Sequence, residues 1–168
     1  MRIRKVSGAA AFSAEEARFK ALRLLERRPH AEREIARKLE LRGFEAGTVA
    51  RVVDRLKEHG LLDDARFAHD FVRWRLAGRA EGRRLLAGRL IARGVERGLA
   101  DRVAAEMLPE PEERALAAEA ARKFVKRHPA GDLKGRRLLY AFLARRGFGP
   151  DAIRRAVRLT GADSEDVD

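Results

Sequence analysis

The feature that most constrains this chain is a threefold internal repeat. Leu39-x-x-Arg42-Gly43-Phe44 recurs as Leu90-x-x-Arg93-Gly94-Val95 and again as Leu143-x-x-Arg146-Gly147-Phe148. The three glycines lie 51 and 53 residues apart, a period near 52. The match extends both ways without gaps. Eight residues before the glycines stand Ile35, Leu86 and Leu139, and nine after them stand Val52, Val103 and Ala156. Arginine also keeps register: Arg33, Arg84 and Arg137 ten residues before, Arg51, Arg102 and Arg155 eight after. Gly82-Arg83-Arg84 is echoed by Gly135-Arg136-Arg137, whereas the first copy has Ala31-Glu32-Arg33. A unit of this size buries little surface by itself and leans on its neighbours. The expected fold is all-α: three tandem three-helix, helix-turn-helix-like units at 14–62, 63–108 and 109–160, forming an elongated array, with an acidic, disordered tail at 161–168.

Apolar spacing supplies the helices. Residues 1–12 read as a flexible basic lead-in. Ser13 and Glu16 form a capping box, each side chain bonding the other's backbone N–H. The first helix runs to about residue 28, stopped by Pro29, and is expected to bury Phe19, Leu22 and Leu25. The second, about 31–42, turns Ile35 and Leu39 inward, and Gly43 ends it. The third, about 46–59, buries Val49, Val52, Val53 and Leu56, whose spacing of 3, 1 and 3 follows a helical face. Gly60 suits a left-handed helix end, and Asp63 and Asp64 open the next helix as caps. The later units repeat the plan at about 64–77, 82–93 and 96–107, then 112–128, 133–146 and 150–159. Pro109-Glu-Pro111-Glu-Glu113 reads as the linker between them, with Pro111 able to start a helix.

Few residues suggest chemistry. Phe67, Phe71 and Trp74 recur at i, i+4 and i+7; they could stack on unpaired bases, but a buried helical face explains the spacing better. Asp63 and Asp64 lack convergent ligands nearby, so capping is expected over metal or acid–base work. His30, His59, His69 and His128 show no metal-ligand spacing and are expected in surface or capping positions. Ser7, Ser13 and Ser164 lie in or beside the termini, without a scaffold for a nucleophile. There is no cysteine, hence no disulfide and no Cys-based zinc site. Phosphate-binding fingerprints are missing from the sequence. No catalysis, cofactor or metal is expected.

Charge points elsewhere. The 168 residues carry 38 Lys and Arg against 26 Asp and Glu, a formal net charge of +12, which suits a polyanionic partner. No apolar run reaches the ~18 residues of a membrane span, and the start lacks a secretory core, so a cytoplasmic protein is expected. A solvated face accounts for many single arginines, but poorly for the same register in three units. Arg suits phosphate and carboxylate through its planar fork of donors.

The run Gly60-Leu-Leu-Asp-Asp-Ala-Arg-Phe-Ala68 with Phe71, Val72 and Arg73, followed by Gly82, Leu86, Leu90, Gly94 and Val95, closely resembles the bacterial RecX family of regulatory proteins. The resemblance spans about 14–159 and includes the three-repeat plan. It departs at Val95, often isoleucine in the family, and at Arg97-Gly98, where glycine weakens a helix start. It implies a non-enzymatic modulator of the RecA recombinase in recombination, repair and the SOS response. Such a protein binds in the groove of the RecA–single-stranded DNA filament and inhibits its ATPase, strand exchange and growth. Single-stranded DNA is the expected nucleic acid, with double-stranded DNA as an alternative, and the chain is expected to be monomeric. Candidate contacts to filament or DNA are Arg33, Arg51, Arg73, Arg83, Arg84, Arg102, Arg136, Arg137 and Arg155. A general nucleic-acid-binding protein of tandem helical units is the alternative; an enzyme using Asp63 and Asp64 is the remote one.

Overall fold

The computed structural model describes residues 13–161, and the expectations for 1–12 and for the acidic tail from 162 onward, Ser7 and Ser164 included, fall outside them. Those residues form nine α-helices: α1 (Ala14–Leu25), α2 (Glu32–Glu40), α3 (Ala46–Glu58), α4 (Asp64–Gly78), α5 (Arg83–Ala92), α6 (Arg97–Met107), α7 (Glu110–Val125), α8 (Leu133–Arg145) and α9 (Pro150–Leu159). No strand occurs among the described residues. Their contacts define two compact units, one ending at Asp64 and one beginning at Ala65. The first holds α1–α3; the second holds the other two copies of the repeat. No described helix is long and apolar enough to cross a membrane.

The repeat is structural in detail. Ile35, Leu86 and Leu139 are fully buried, as are Leu39, Leu90 and Leu143. Gly43, Gly94 and Gly147 all have positive φ, at 88°, 97° and 79°. After each glycine the chain closes the same six-residue loop: Phe44, Val95 and Phe148 donate their N–H to the carbonyls of Leu39, Leu90 and Leu143. A left-handed residue at this place lets the next side chain fold back into the core, and glycine adopts it without a Cβ clash. Phe44, Val95 and Phe148 are accordingly all buried. Valine instead of isoleucine at residue 95 is thus no obstacle. At Arg97-Gly98, α6 still starts on time because Glu96 accepts from the Leu99 N–H at 2.9 Å.

In the first unit α1 packs on α3 through Ala17 and Ala21, not through the large residues expected. Leu22 and Leu25 are half-buried, while Phe19 is 59% exposed. Small residues allow close helix approach, and Phe19 lies two positions from both alanines, about 200° around the helix. The Ser13–Glu16 capping box forms, with bonds of 3.0 and 3.1 Å. In the second unit α7 begins at Glu110, so the expected linker is already helix and Pro111 occupies its first turn. Proline there removes no needed donor, and Glu110, Glu112 and Glu113 suit the positive helix end.

Gly82 and Gly147 dock the second copy of the repeat on the third. Gly82 N–H donates to the Arg146 carbonyl at 2.8 Å and Arg84 N–H to the Gly147 carbonyl at 3.1 Å. A Cβ on Gly82 would lie 2.4 Å from the Gly147 oxygen, and one on Gly147 would lie 2.3 Å from Leu85. The first copy has no such glycine pair; Ala31 stands where Gly82 does.

Histidine His30 is buried, correcting its expected surface or capping place. Its Nδ1 lies 2.8 Å from the Arg28 carbonyl, and Lys38 Nζ lies 2.8 Å from Nε2. Lysine can only donate, so this geometry holds a neutral ring with the proton on Nδ1. Burial lowers its pKa from 6.5. Beside it, buried Glu34 pairs with Arg28 and with Lys38 at 3.0 Å. Burial pushes the Glu34 carboxyl up, but these charged hydrogen bonds outweigh it and bring the value down to about 2. Both folded values lie below the unfolded ones, so both contributions are complete above pH 6.5. Acidification removes the His30 contribution first, below 6.5, and then that of Glu34 from about 4.5 towards 2. Glu34→Gln should cost about 3 kcal/mol at pH 7, the low end for breaking a buried pair because its partners keep some water contact. Urea denaturation against pH checks this; an unchanged acid slope below pH 4.5 in the variant would contradict it.

Candidate nucleic-acid interface

The six arginines that keep register are all exposed. Arg33, Arg84 and Arg137 sit on α2, α5 and α8, each two residues before a fully buried side chain. Two residues are about 200° of helix, so the guanidinium stem leaves the side opposite the core. Arg51, Arg102 and Arg155 occupy the same place, the sixth residue, in α3, α6 and α9. The residue after each, Val52, Val103 and Ala156, is buried. The fold therefore presents two outward arginines per repeat at equivalent positions.

The other candidates separate from these. Arg73 is exposed but pairs with Asp70 at 2.7 Å, a surface pair of little energetic weight. Arg83 is half-buried: its Nε donates to the Leu108 carbonyl at 2.6 Å and stands 3.5 Å from Glu113. It holds the repeat together. Arg136 is half-buried as well. Among the neighbouring doublets, Arg146 turns to the Ala80 carbonyl at 3.1 Å and over the Phe142 ring at 4.6 Å, whereas Arg145 is exposed. Arg154 shares Asp151 with Arg114.

Local charge differs among the repeats. A groove between α1 and α3 holds Arg18, Arg51 and Arg55 beside Glu15, Asp54 and Glu58, so acids offset its cations. Arg51 also donates to Thr48 Oγ1 at 3.2 Å. In α5 no acid stands in the first turn, although Arg83 and Arg84 do. Glu113 compensates from α7 by accepting the Arg83 N–H at 3.0 Å. Asp64 does the same for α2, accepting the Glu32 N–H at 2.8 Å; it caps a helix 32 residues earlier. Burial raises the pKa of Asp64, and its Oδ1 is committed to the Glu32 N–H. Among the described residues no three His, Asp or Glu side chains converge on a possible metal.

The aromatic trio divides. Phe67 is buried and Phe71 half-buried, but Trp74 is 65% exposed, which corrects the expectation of a common core face. The buried stripe of α4 runs through Phe67, Ala68 and Val72. Its centre lies about 100° from Trp74, and spacing alone does not locate that centre. Sequence reasoning also missed Glu34, Glu81 and Glu113, all buried acids. His30, Glu34 and Lys38 at successive i+4 positions were a readable signal for the first; Glu81, held by Arg75 and by Arg89 at 3.2 Å, left none.

Three family models match the chain in order: the RecX first three-helix domain at residues 17–56, the second at 63–103 and the third at 112–157. A regulatory protein RecX from Halorhodospira halophila is 41% identical over 159 residues, covering 93% of this chain and 95% of that protein. One from Mycobacterium sp. strain KMS is 39% identical over 139 residues, covering 80% and 75%. The crystal structure of RecX from Lactobacillus salivarius shares the fold with a TM-score of 0.78 at 17% identity, over 90% of this chain and 97% of that one.

Proposed function

The chain belongs to the RecX family of regulatory proteins, and from that premise we propose that it binds the RecA–single-stranded DNA filament and inhibits its ATP hydrolysis, strand exchange and growth. The observation that carries this reading is the exposure of all six registered arginines, two in each repeat. A long, regularly repeating polyanion is the partner to which equivalent cations in successive units are suited. Each unit makes weak contacts, and linkage sums them through effective concentration. The action is by binding and not by catalysis, in the cytoplasm, as a monomer without cofactor. The domain limits 14–62, 63–108 and 109–160 are the proposed modules of contact.

General nucleic-acid binding is the competing reading, favoured by the net charge of +12. Cosedimentation at moderate salt separates the two. The protein is expected to pellet with RecA-coated single strands at concentrations where naked strands retain little of it. Equal retention on both would favour the general binder.

A further inference from the structure

We propose that Trp74 is a stacking site for an unpaired nucleobase, so that this chain grips single-stranded nucleic acid by an aromatic contact as well as by charge. The inference deepens the reading of an arginine-rich nucleic-acid face and rests on it for the choice of ligand. Trp74 is the only tryptophan of the chain and lies 65% exposed on α4. It ends an aromatic ladder: Phe67 and Phe71 stack with centroids 6.1 Å apart, and Phe71 and Trp74 follow at 6.3 Å. The inner two rings anchor the third. Guanidinium groups accompany the ladder, Arg93 over Phe71 at 5.3 Å and Arg75 over the indole at 5.4 Å. Arg75 is itself pinned by buried Glu81, which orients it against the ring. Arg73 and Arg66 are exposed on the same helix.

A base is the occupant these surroundings favour. Among the described residues, Trp74 is the one large hydrophobic side chain of α4–α6 that is mostly exposed. Docking on an apolar protein surface calls for neighbouring apolar contacts that shut out water around the anchor. Here the adjacent exposed positions on α4 are Asp70, Arg73, Ala77 and Gly78, none of them a large apolar side chain. A single aromatic among arginines matches one base with its phosphates, because each base offers a π-face whatever its identity.

The test uses the full-length protein without RecA. Addition of an oligothymidylate should quench the emission of Trp74 saturably, and Trp74→Ala should weaken binding about tenfold. Trp74→Phe should keep most of the affinity, and both variants should melt at the parent temperature. A strand of equal length with abasic sugars should bind the parent about tenfold more weakly than the oligothymidylate, whereas Trp74→Ala should bind both alike. Unchanged emission, or an alanine variant as tight as the parent, overturns the proposal. So does a variant that binds oligothymidylate normally but loses the RecA filament, since Trp74 would then contact protein. Inhibition of RecA by the parent is scored separately: its absence alongside intact quenching would remove the regulatory reading and leave the stacking site standing.

Discussion

Replacing Gly147 by alanine is expected to lower the stability of the second compact unit by roughly 2–5 kcal/mol. Two independent penalties add. At φ +79° an L-residue is strained by about 1–2 kcal/mol. The new Cβ would also sit 2.3 Å from both the backbone nitrogen and the Cβ of Leu85, so α5 must shift, and overpacking of this kind costs about 1–3 kcal/mol. That shift would disturb the bonds of Gly82 and Arg84 to the turn carbonyls. Gly88 provides the control. It lies in α5 with nothing within 4 Å of an added Cβ, and Gly88→Ala should stabilise the protein by about 0.5–1 kcal/mol through helix propensity alone. Urea denaturation of the two variants reads both signs. A Gly147→Ala protein as stable as the parent would mean that the turn does not dock on α5 as described.

The second large effect concerns binding. The variant lacking Arg84, Arg102, Arg137 and Arg155 should lose most of its affinity for the RecA filament while melting at the parent temperature. All four side chains are exposed and opposite or beside buried neighbours, so their removal leaves the core intact. Each phosphate released from a single strand should reduce the slope of log affinity against log salt by about 0.7, and four by about 3. Arg83→Ala should behave differently. Losing the bond to the Leu108 carbonyl and the partner of Glu113 should lower stability by about 1–3 kcal/mol. Titrations at several salt concentrations, paired with melting curves, separate a contact residue from a structural one. If the fourfold variant binds with the parent's salt slope, these arginines are only a solvated face.

Much of the fold was legible because each repeat states the same local rules. Ile35, Leu39, Gly43, Phe44 and Val52 specify one helix, its left-handed end and the return into the core, and the later copies repeat them with substitutions that preserve size or polarity. What the sequence hid depends on distance. Asp64 caps Glu32, Glu113 caps Arg83, and Gly82 meets Gly147, across 32, 30 and 65 positions that no local pattern links. The candidate interface was readable as a register, not as exposure: Arg83 and Arg84 are neighbours in sequence, yet one holds the fold and the other faces water. Trp74 was misplaced because the period of an aromatic stripe fixes its spacing but not its direction relative to the core.

The central claim is tested most directly by RecA's DNA-dependent ATP hydrolysis on a single-stranded template. Addition of this protein should suppress hydrolysis at moderate salt, with suppression weakening as salt rises. The variant lacking Arg84, Arg102, Arg137 and Arg155 should suppress little under the same conditions. Hydrolysis that continues at its full rate with saturating protein would contradict the account.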